Sequence, residues 1–481
     1  MSVKKLLLPF LLANMALPVI AQEKWNLRSI VEYAMKQNIT ARLSEVQARL
    51  AGITYEQSKL SRYPSANFAS NFSVNSGNNQ DPVSFSRITQ TFLNAGFQLQ
   101  TSADIFNFYS KKNTIAANYW EVEAAKANVE KIRNDIALTA ANAYLQVLLA
   151  LEQQKITEVQ VGQTTAQLTN TRKMVNAGAL PELNAVQLET QLAMDSVNYI
   201  SARGNVTQAI LTLKSYMNID AAAPFEIDTP PLDRIPVQPI AELQPEVVYM
   251  TALANQPQQR YNDLKLKAAA KSTEAARGAM YPTLSGFGSL SSSYINLKSP
   301  AYVPVIGSYA PSSAKVTING TDYSVMTPSI SYVQHGYNRS GSFGSQFTDN
   351  FRRSIGVSLN VPIFNGGSLR ANYERAKLNT TSLELQKLQD NQKLKQDIYA
   401  AYNAALIALE KFNASNRAVE TAELTYNFAR KRFDVGMLGN FDLVTTQNNL
   451  LRAKLDQSFN RFDYVFKIKV LEFYKGLGLT L

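Results

Sequence analysis

The chain repeats itself, and a repeat constrains a fold more tightly than any local signal because each copy must build the same supersecondary unit. Sliding the 481-residue sequence along itself brings two registers into match. In the first, Ile105-Phe106-Asn107 falls on Ile363-Phe364-Asn365, a separation of 363 − 105 = 258. Residues 143–152 then fall on 401–410 with six identities in ten. Without a gap, Arg172-Lys173 meets Arg430-Lys431, Gly178 meets Gly436, Leu180 meets Leu438 and Tyr216 meets Tyr474. In the second register Ala34 falls on Ala252 and Tyr63-Pro64 on Tyr281-Pro282, a separation of 281 − 63 = 218. The second copy therefore carries 258 − 218 = 40 extra residues. They fall near 291–350, a stretch rich in Ser, Gly, Tyr and Asn that reads as a loop. The organisation expected is a leader at 1–21, a first repeat at 22–217, a connector at 218–245 and a second repeat at 246–481. Pro224, Pro230, Pro231, Pro236, Pro239 and Pro245 make the connector stiff and non-helical.

The leader sets the address. Lys4 and Lys5 precede an apolar run at 6–20 that ends on Ala21 with the small residue Val19 two positions earlier. That is the pattern of a secretory signal peptide. A membrane anchor needs about 20 apolar residues, and Pro9 and Asn14 interrupt this run. Removing the two lysines leaves 46 basic residues against 37 acidic ones, a net +9. The charges are dispersed, so nucleic acid is not an expected partner. No later segment holds about 18 uninterrupted apolar residues. The product is expected in the periplasm, outside the cell, or in an outer membrane as a β-barrel.

Enzyme chemistry finds few side chains here. Cysteine is absent and His335 is the one histidine, which excludes disulfides, thiol nucleophiles and Cys/His zinc sites. Gly366-Gly367 is too short to be a phosphate-binding fingerprint. No catalytic residue, metal site or cofactor is expected, and His335 reads as an exposed residue of the inserted loop.

Within each copy the order is helix, strand pair, very long helix, tight break, helix. Residues 115–176 hold no proline and only Gly162 as a breaker, which predicts one helix of about 60 residues and about 90 Å. Ile136, Ala140, Ala143, Val147 and Ala150 make a narrow coiled-coil-like seam, matched by Leu394, Ile398, Ala401, Ala405 and Ala408. Shorter helices are expected at 27–61 and, after the break at Gly178–Pro181, up to about Tyr216. Laid end to end they are as long as the long one, so they are expected to stack beside it.

Between the helices the period is two. Phe97, Leu99, Thr101, Ala103 and Ile105 alternate with Gln98, Gln100, Ser102 and Asp104; Ile355, Val357, Leu359, Val361 and Ile363 do the same in the second copy. One apolar and one polar face over nine to eleven residues suits a transmembrane strand, though a soluble amphipathic sheet would carry the same alternation. Two strands per copy make four per chain. Four cannot close a barrel, and an open edge in lipid leaves backbone groups unpaired. The strands therefore predict an oligomer whose subunits share one barrel.

Taken together, the tandem repeat, Tyr63-Pro64 and Tyr281-Pro282 entering the strands, Ile363-Phe364-Asn365-Gly366-Gly367 leaving them, and residues 432–447 resemble the TolC-like outer-membrane efflux and secretion proteins. Within that last stretch, Phe433-Asp434-Val435-Gly436-Met437-Leu438 followed by Phe441-Asp442-Leu443 is similar to the family's periplasmic tip. The resemblance implies a mainly α fold with membrane β: a homotrimer with a 12-strand barrel continued by an α-helical tunnel across the periplasm. It further implies docking of the tips on a periplasmic adaptor of an inner-membrane transporter, and an iris-like opening by the second copy's coils. The protein would sit in the outer-membrane lipid of a Gram-negative bacterium as the exit duct of a tripartite pump or a type I secretion system. Gly178, Leu180, Gly436 and Leu438 become the adaptor-docking tip, and Asp442 aligns with a carboxylate ring at the tunnel constriction. Two positions depart from that pattern: Thr445 stands where the family has a second aspartate and Leu438 where it has an arginine. The competing reading is a soluble periplasmic coiled-coil tether.

Overall fold

The computed structural model describes residues 24–81, 85–229 and 238–476. The leader, and Pro230, Pro231 and Pro236 of the connector, lie outside them. The first copy forms α1 (Leu27–Gln37), α2 (Ile39–Leu60), β1 (Ser65–Gln80), β2 (Arg87–Phe106), α3 (Ser110–Asn176) and α4 (Glu182–Met217). The second forms α5 (Pro245–Asn255), α6 (Pro257–Gly278), β3 (Thr283–Asn296), β4 (Lys298–Ile318), β5 (Thr321–Arg339), α7 (Phe343–Asp349), β6 (Arg352–Asn360), α8 (Ser368–Asp434) and α9 (Asn440–Lys475). Helix bounds obey the repeat: α5 and α6 are α1 and α2 advanced by 218, and α8 and α9 are α3 and α4 advanced by 258. The long helices run 67 residues each, about 100 Å at 1.5 Å per residue.

Two compact units result, and both mix the copies: one holds 1–53, 118–269 and 379–481, the other 54–117 and 270–378. In the first, the single helix expected at 27–61 is two. Asn38 turns extended (φ −60°, ψ 134°), its side chain accepts the Thr40 N–H at 2.8 Å, and its amide donates to the Tyr216 carbonyl at 2.8 Å. Gln256, 218 residues on, breaks the second copy's helix likewise and donates to the carbonyls of Phe473 and Tyr474 at 3.4 and 3.3 Å. Tyr474 is the counterpart of Tyr216, so each copy ties its short-helix junction to the end of its own returning helix. This joint is where the expected end-to-end meeting occurs. Ile30, Ala34, Ala140, Tyr144, Val147, Leu213 and Met217 bury together around it. The connector is anchored here too: Trp25 pairs with Glu226 and Asp228 through the backbone, and the buried Lys214 ammonium donates to the carbonyls of Ala221 and Ala223. Pro245 is the first residue of α5, where its missing N–H costs nothing.

The second unit carries the strands. β1, β2, β3 and β6 form one antiparallel sheet in that order. The register places Phe72 opposite Ala95, Phe68 opposite Leu99, Leu99 opposite Leu290, and Gly288 opposite Ile355. Cross-strand partners share a face, so the apolar face runs through Phe68, Phe72, Val74, Phe97, Leu99, Leu290, Ile355, Val357 and Leu359. Asn67, Asn71, Gln98, Gln100, Ser102, Ser285, Ser289 and Ser358 line the other. Two readings are corrected. β6 ends at Asn360, so Val361 and Ile363 lie beyond it; Pro362 has no N–H to continue a ladder. The inserted stretch is a long hairpin, β4–β5, followed by α7, not a loop. Asn319-Gly320 turns it at φ +49° and +78°, the conformation that two-residue hairpins demand, and β-branched and aromatic residues fill its strands. His335 is exposed, as expected, but on β5. α7 packs on β3 and seats Phe343 and Phe347 against Phe97 at 6.1 and 5.8 Å.

Candidate functional site: the paired hairpin tips

Each long helix ends where glycine allows a left-handed residue. Gly178 (φ +73°) donates to Val175 at 2.9 Å while Ala179 donates back to Met174 at 2.8 Å. Gly436 (φ +75°) repeats both bonds with Phe433 and, through Met437, with Arg432. These are Schellman caps, which satisfy the last carbonyls and reverse the chain. A Cβ at Gly436 meets open space, so the cost of replacing it is conformational. Gly436→Val is expected to destabilise the turn by about 1–2 kcal/mol, read as a lower unfolding temperature with the helical content retained.

Arg172 binds both Glu182 and Glu189 across the first tip, and Glu189 does most to raise the guanidinium's pKa above its usual value. The pair is solvent-exposed, so it orients the return of α4 more than it stabilises it. Asp442 is exposed in the first turn of α9, where the helix dipole favours its charge. Leu180 and Leu438 are half-buried. Leu438, expected at the docking tip, is turned inward: it packs against the buried cluster of Tyr426, Ala429, Leu443 and Leu450. The apolar side chains that the tips present outward are instead Met437 (69% exposed), Phe441 (72%) and Val435, with Leu183 on the first hairpin. Their period did not mark them, because a turn has none.

The two hairpins are joined by neutral polar contacts that sequence reading missed entirely. Near the tip Asn440 donates to the Asn184 carbonyl at 3.1 Å. Gln191 and Asn448 exchange amide hydrogen bonds at 3.1 Å each, and Gln167 donates to the Tyr426 hydroxyl at 3.1 Å. Burial raises the Tyr426 pKa, so the phenol stays neutral and keeps its hydrogen. Deeper still, Asp195 is buried between Thr164, which donates at 2.6 Å, and Gln191, which donates at 2.8 Å. Gln447 of α9 donates to the same Thr164 oxygen at 3.1 Å. The i, i+4 spacing of Gln191 and Asp195 was the only signal in the chain for this cluster.

Among the described residues no group of His, Cys, Asp and Glu could hold a metal ion, and no helix is long and apolar enough to cross a membrane. The helical scaffold and an amphipathic four-stranded sheet are what must be matched. A profile of the outer membrane efflux protein family matches residues 34–218 and 248–465, both copies and most of the chain. The chain belongs to the outer membrane efflux protein family. Its relatives include outer membrane efflux protein BepC of Brucella suis biovar 1 (strain 1330), 23% identical over 80% of this chain and 71% of that protein. Outer membrane protein TolC of Escherichia coli (strain K12) is 22% identical over 71% of this chain and 61% of that one. The Campylobacter jejuni CmeC outer membrane channel has the same fold, with a TM-score of 0.71 at 17% identity, over 94% of this chain and 86% of that one. This efflux protein therefore has its place in the outer membrane with a periplasmic extension, and its work is that of an exit duct for efflux or type I secretion. The soluble tether is not favoured.

Proposed function

We propose that three copies of this chain make one passive duct. The observation that carries the reading is the sheet: four strands with one apolar face, and two outer strands, β1 and β6, that among the described residues pair on one side only. Ile355, 93% exposed, lies on that apolar face beside Val357. Lipid solves the face and neighbouring copies solve the edges. Three copies bring twelve strands, enough for a barrel with a polar lumen. The reading includes no catalytic step.

The tips supply the docking surface. Met437, Phe441 and Val435 form the apolar part of a surface suited to a periplasmic adaptor, with Gly178 and Gly436 setting the turns that present it. The adaptor would couple the duct to an inner-membrane transporter. Asp442, exposed near one tip, would stand three times around the axis, and like charges so placed attract cations into the constriction.

Two measurements test this. Native mass in mild detergent should be that of three chains, and the reconstituted protein should carry single-channel current; a monomer without current sinks the duct. Asp442→Ala should change conductance or cation block by about twofold or more with the trimer intact. Identical current, selectivity and block in the variant would remove Asp442 from the constriction.

A further inference from the structure

Two bands of aromatic rings bound the apolar face of the sheet. At the end where β3 follows α6 and β6 leads to α8, Phe106 meets Phe108 at 4.9 Å and Tyr109 at 5.8 Å, and Phe108 stacks on Tyr281 at 4.9 Å. That end borders the helices of the periplasmic extension. At the other end Phe97 gathers Phe72 at 5.7 Å together with Phe343 and Phe347 of α7, and Tyr294 meets Phe343 at 5.4 Å. Phe97 and Phe106 lie 106 − 97 = 9 residues apart along β2. Nine steps of about 3.4 Å, tilted by about 40°, rise about 23 Å, close to the ~25 Å apolar band of an outer-membrane barrel. The second band therefore stands at the outer leaflet.

α7 builds that outer band and fixes it to the sheet. Gln346 exchanges two hydrogen bonds of 3.0 Å with the backbone of Ile295, and Asn350 donates to the Ser293 carbonyl at 2.8 Å, so the helix caps the edge of β3 that β6 does not reach. Ser292, buried beneath it, donates to the Phe347 carbonyl at 2.7 Å. Phe343, Phe347 and the following Phe351 all stay exposed. A rigid shelf of aromatic rings needs a cover.

Cations stand on this shelf and just beyond it. Arg353 is opposite Leu290, so it shares the apolar face with Ile355 and Val357, and its guanidinium lies 5.8 Å from the centre of the Phe351 ring. A lipid-facing arginine is tolerated near the interface and costly at mid-membrane. Lys298 and Arg339 are direct cross-strand partners at the base of the β4–β5 hairpin, 298 − 294 = 4 residues past Tyr294 and 343 − 339 = 4 before Phe343. Like charges placed so are destabilising. Asp349 is the one carboxylate of α7, yet none of Lys298, Arg339 and Arg353 is ion-paired among the described residues.

We propose, resting on the reading of the apolar face as lipid-facing, that this shelf binds a phosphorylated lipid of the outer leaflet. Acyl chains lie along Ile355 and Val357, Arg353 takes one phosphate, and Lys298 with Arg339 takes a second anionic group. Charge and surface together select this occupant. A zwitterionic lipid covers the rings but leaves the Lys298–Arg339 repulsion unanswered, while a soluble phosphate answers the cations and leaves the rings bare. The planar guanidinium fork suits phosphate oxygens better than an ammonium does.

The test uses the full chain in mild detergent, titrated with bisphosphorylated lipid A and followed by native mass spectrometry. Lipid A should stay bound, and the same lipid stripped of its phosphates should bind at least about tenfold more weakly, since the charge-assisted contacts are lost. Arg353→Gln, and separately Lys298→Gln with Arg339→Gln, should each weaken lipid A about fivefold or more, with Arg353→Lys between wild type and Arg353→Gln. Phe347→Ser should weaken both lipids alike, because the shelf and not the charge is damaged. Equal binding of the two lipids, or wild-type binding of lipid A by both charge variants, overturns the site. Displacement of lipid A by millimolar inorganic phosphate marks a soluble-anion site and overturns the lipid as occupant. If those outcomes occur in a protein that still carries single-channel current, the duct stands and the lipid site alone falls; a monomer without current overturns the lipid-facing reading beneath it.

Discussion

Asp195→Leu is expected to loosen the junction of α3, α4 and α9 by about 3 kcal/mol, since each buried donor stripped of its acceptor costs about 1–3 kcal/mol. The Thr164 hydroxyl and the Gln191 amide both lose that acceptor, and the Gln160 amide, at 3.5 Å, loses a weaker one. The loss spreads beyond one helix, because the Thr164 oxygen is also what Gln447 of α9 reaches. Asp195→Asn keeps one acceptor oxygen and should lose less. Amide hydrogen exchange over α4 checks both. Equal protection in wild type and Asp195→Leu would show that the carboxylate is not what holds the hairpins together. Displacing one hairpin against the other must break this cluster along with the Gln191–Asn448 and Asn440–Asn184 contacts. Those bonds between uncharged groups contribute about 0.5–1.5 kcal/mol each, a barrier that thermal energy and a docking partner can supply.

Glu472→Ala is expected to cost about 3–5 kcal/mol, the penalty for removing one partner of a buried ion pair. Glu472 and Lys469 meet at 2.8 Å with side chains only 6% and 4% exposed, beside Ile468 and Leu471. The other Glu472 oxygen accepts the Gln238 N–H at 2.8 Å, so the substitution also releases the end of the connector. Changing both partners, Lys469→Met with Glu472→Leu, should recover most of the loss, because two apolar groups of similar volume need no partner. Thermal unfolding of the two variants separates these outcomes. Equal unfolding temperatures for wild type and Glu472→Ala would mean the pair contributes nothing. The counterpart of Glu472 in the first copy is Lys214, which donates to Ala221 and Ala223. Opposite charges thus do one job at equivalent places: each fastens the connector to the end of its returning helix.

The repeat offsets, the long helices and the glycine turns were legible from residue order alone. Helix bounds follow from the absence of proline and from Gly178 and Gly436, and the amphipathic strands from alternation, all of which are local. The hairpin inside the inserted stretch was legible in principle, since Asn319-Gly320 is a strong turn signal, but the Ser- and Gly-rich composition around it hid the strands.

What residue order could not supply is choice of partner. Asn38 ends a helix because its amide finds the Tyr216 carbonyl 178 residues away, and Gln256 does so at Tyr474. Asp195 looks like any exposed helical aspartate until Thr164 of α3 and Gln191 enclose its carboxylate, and Leu438 turns inward because a buried cluster of Tyr426, Ala429, Leu443 and Leu450 is there to receive it. Period and propensity act over a few residues and are written in order along the chain. Burial and hydrogen-bond satisfaction depend on which distant surfaces meet, and that was decided only when the helices of each copy packed together.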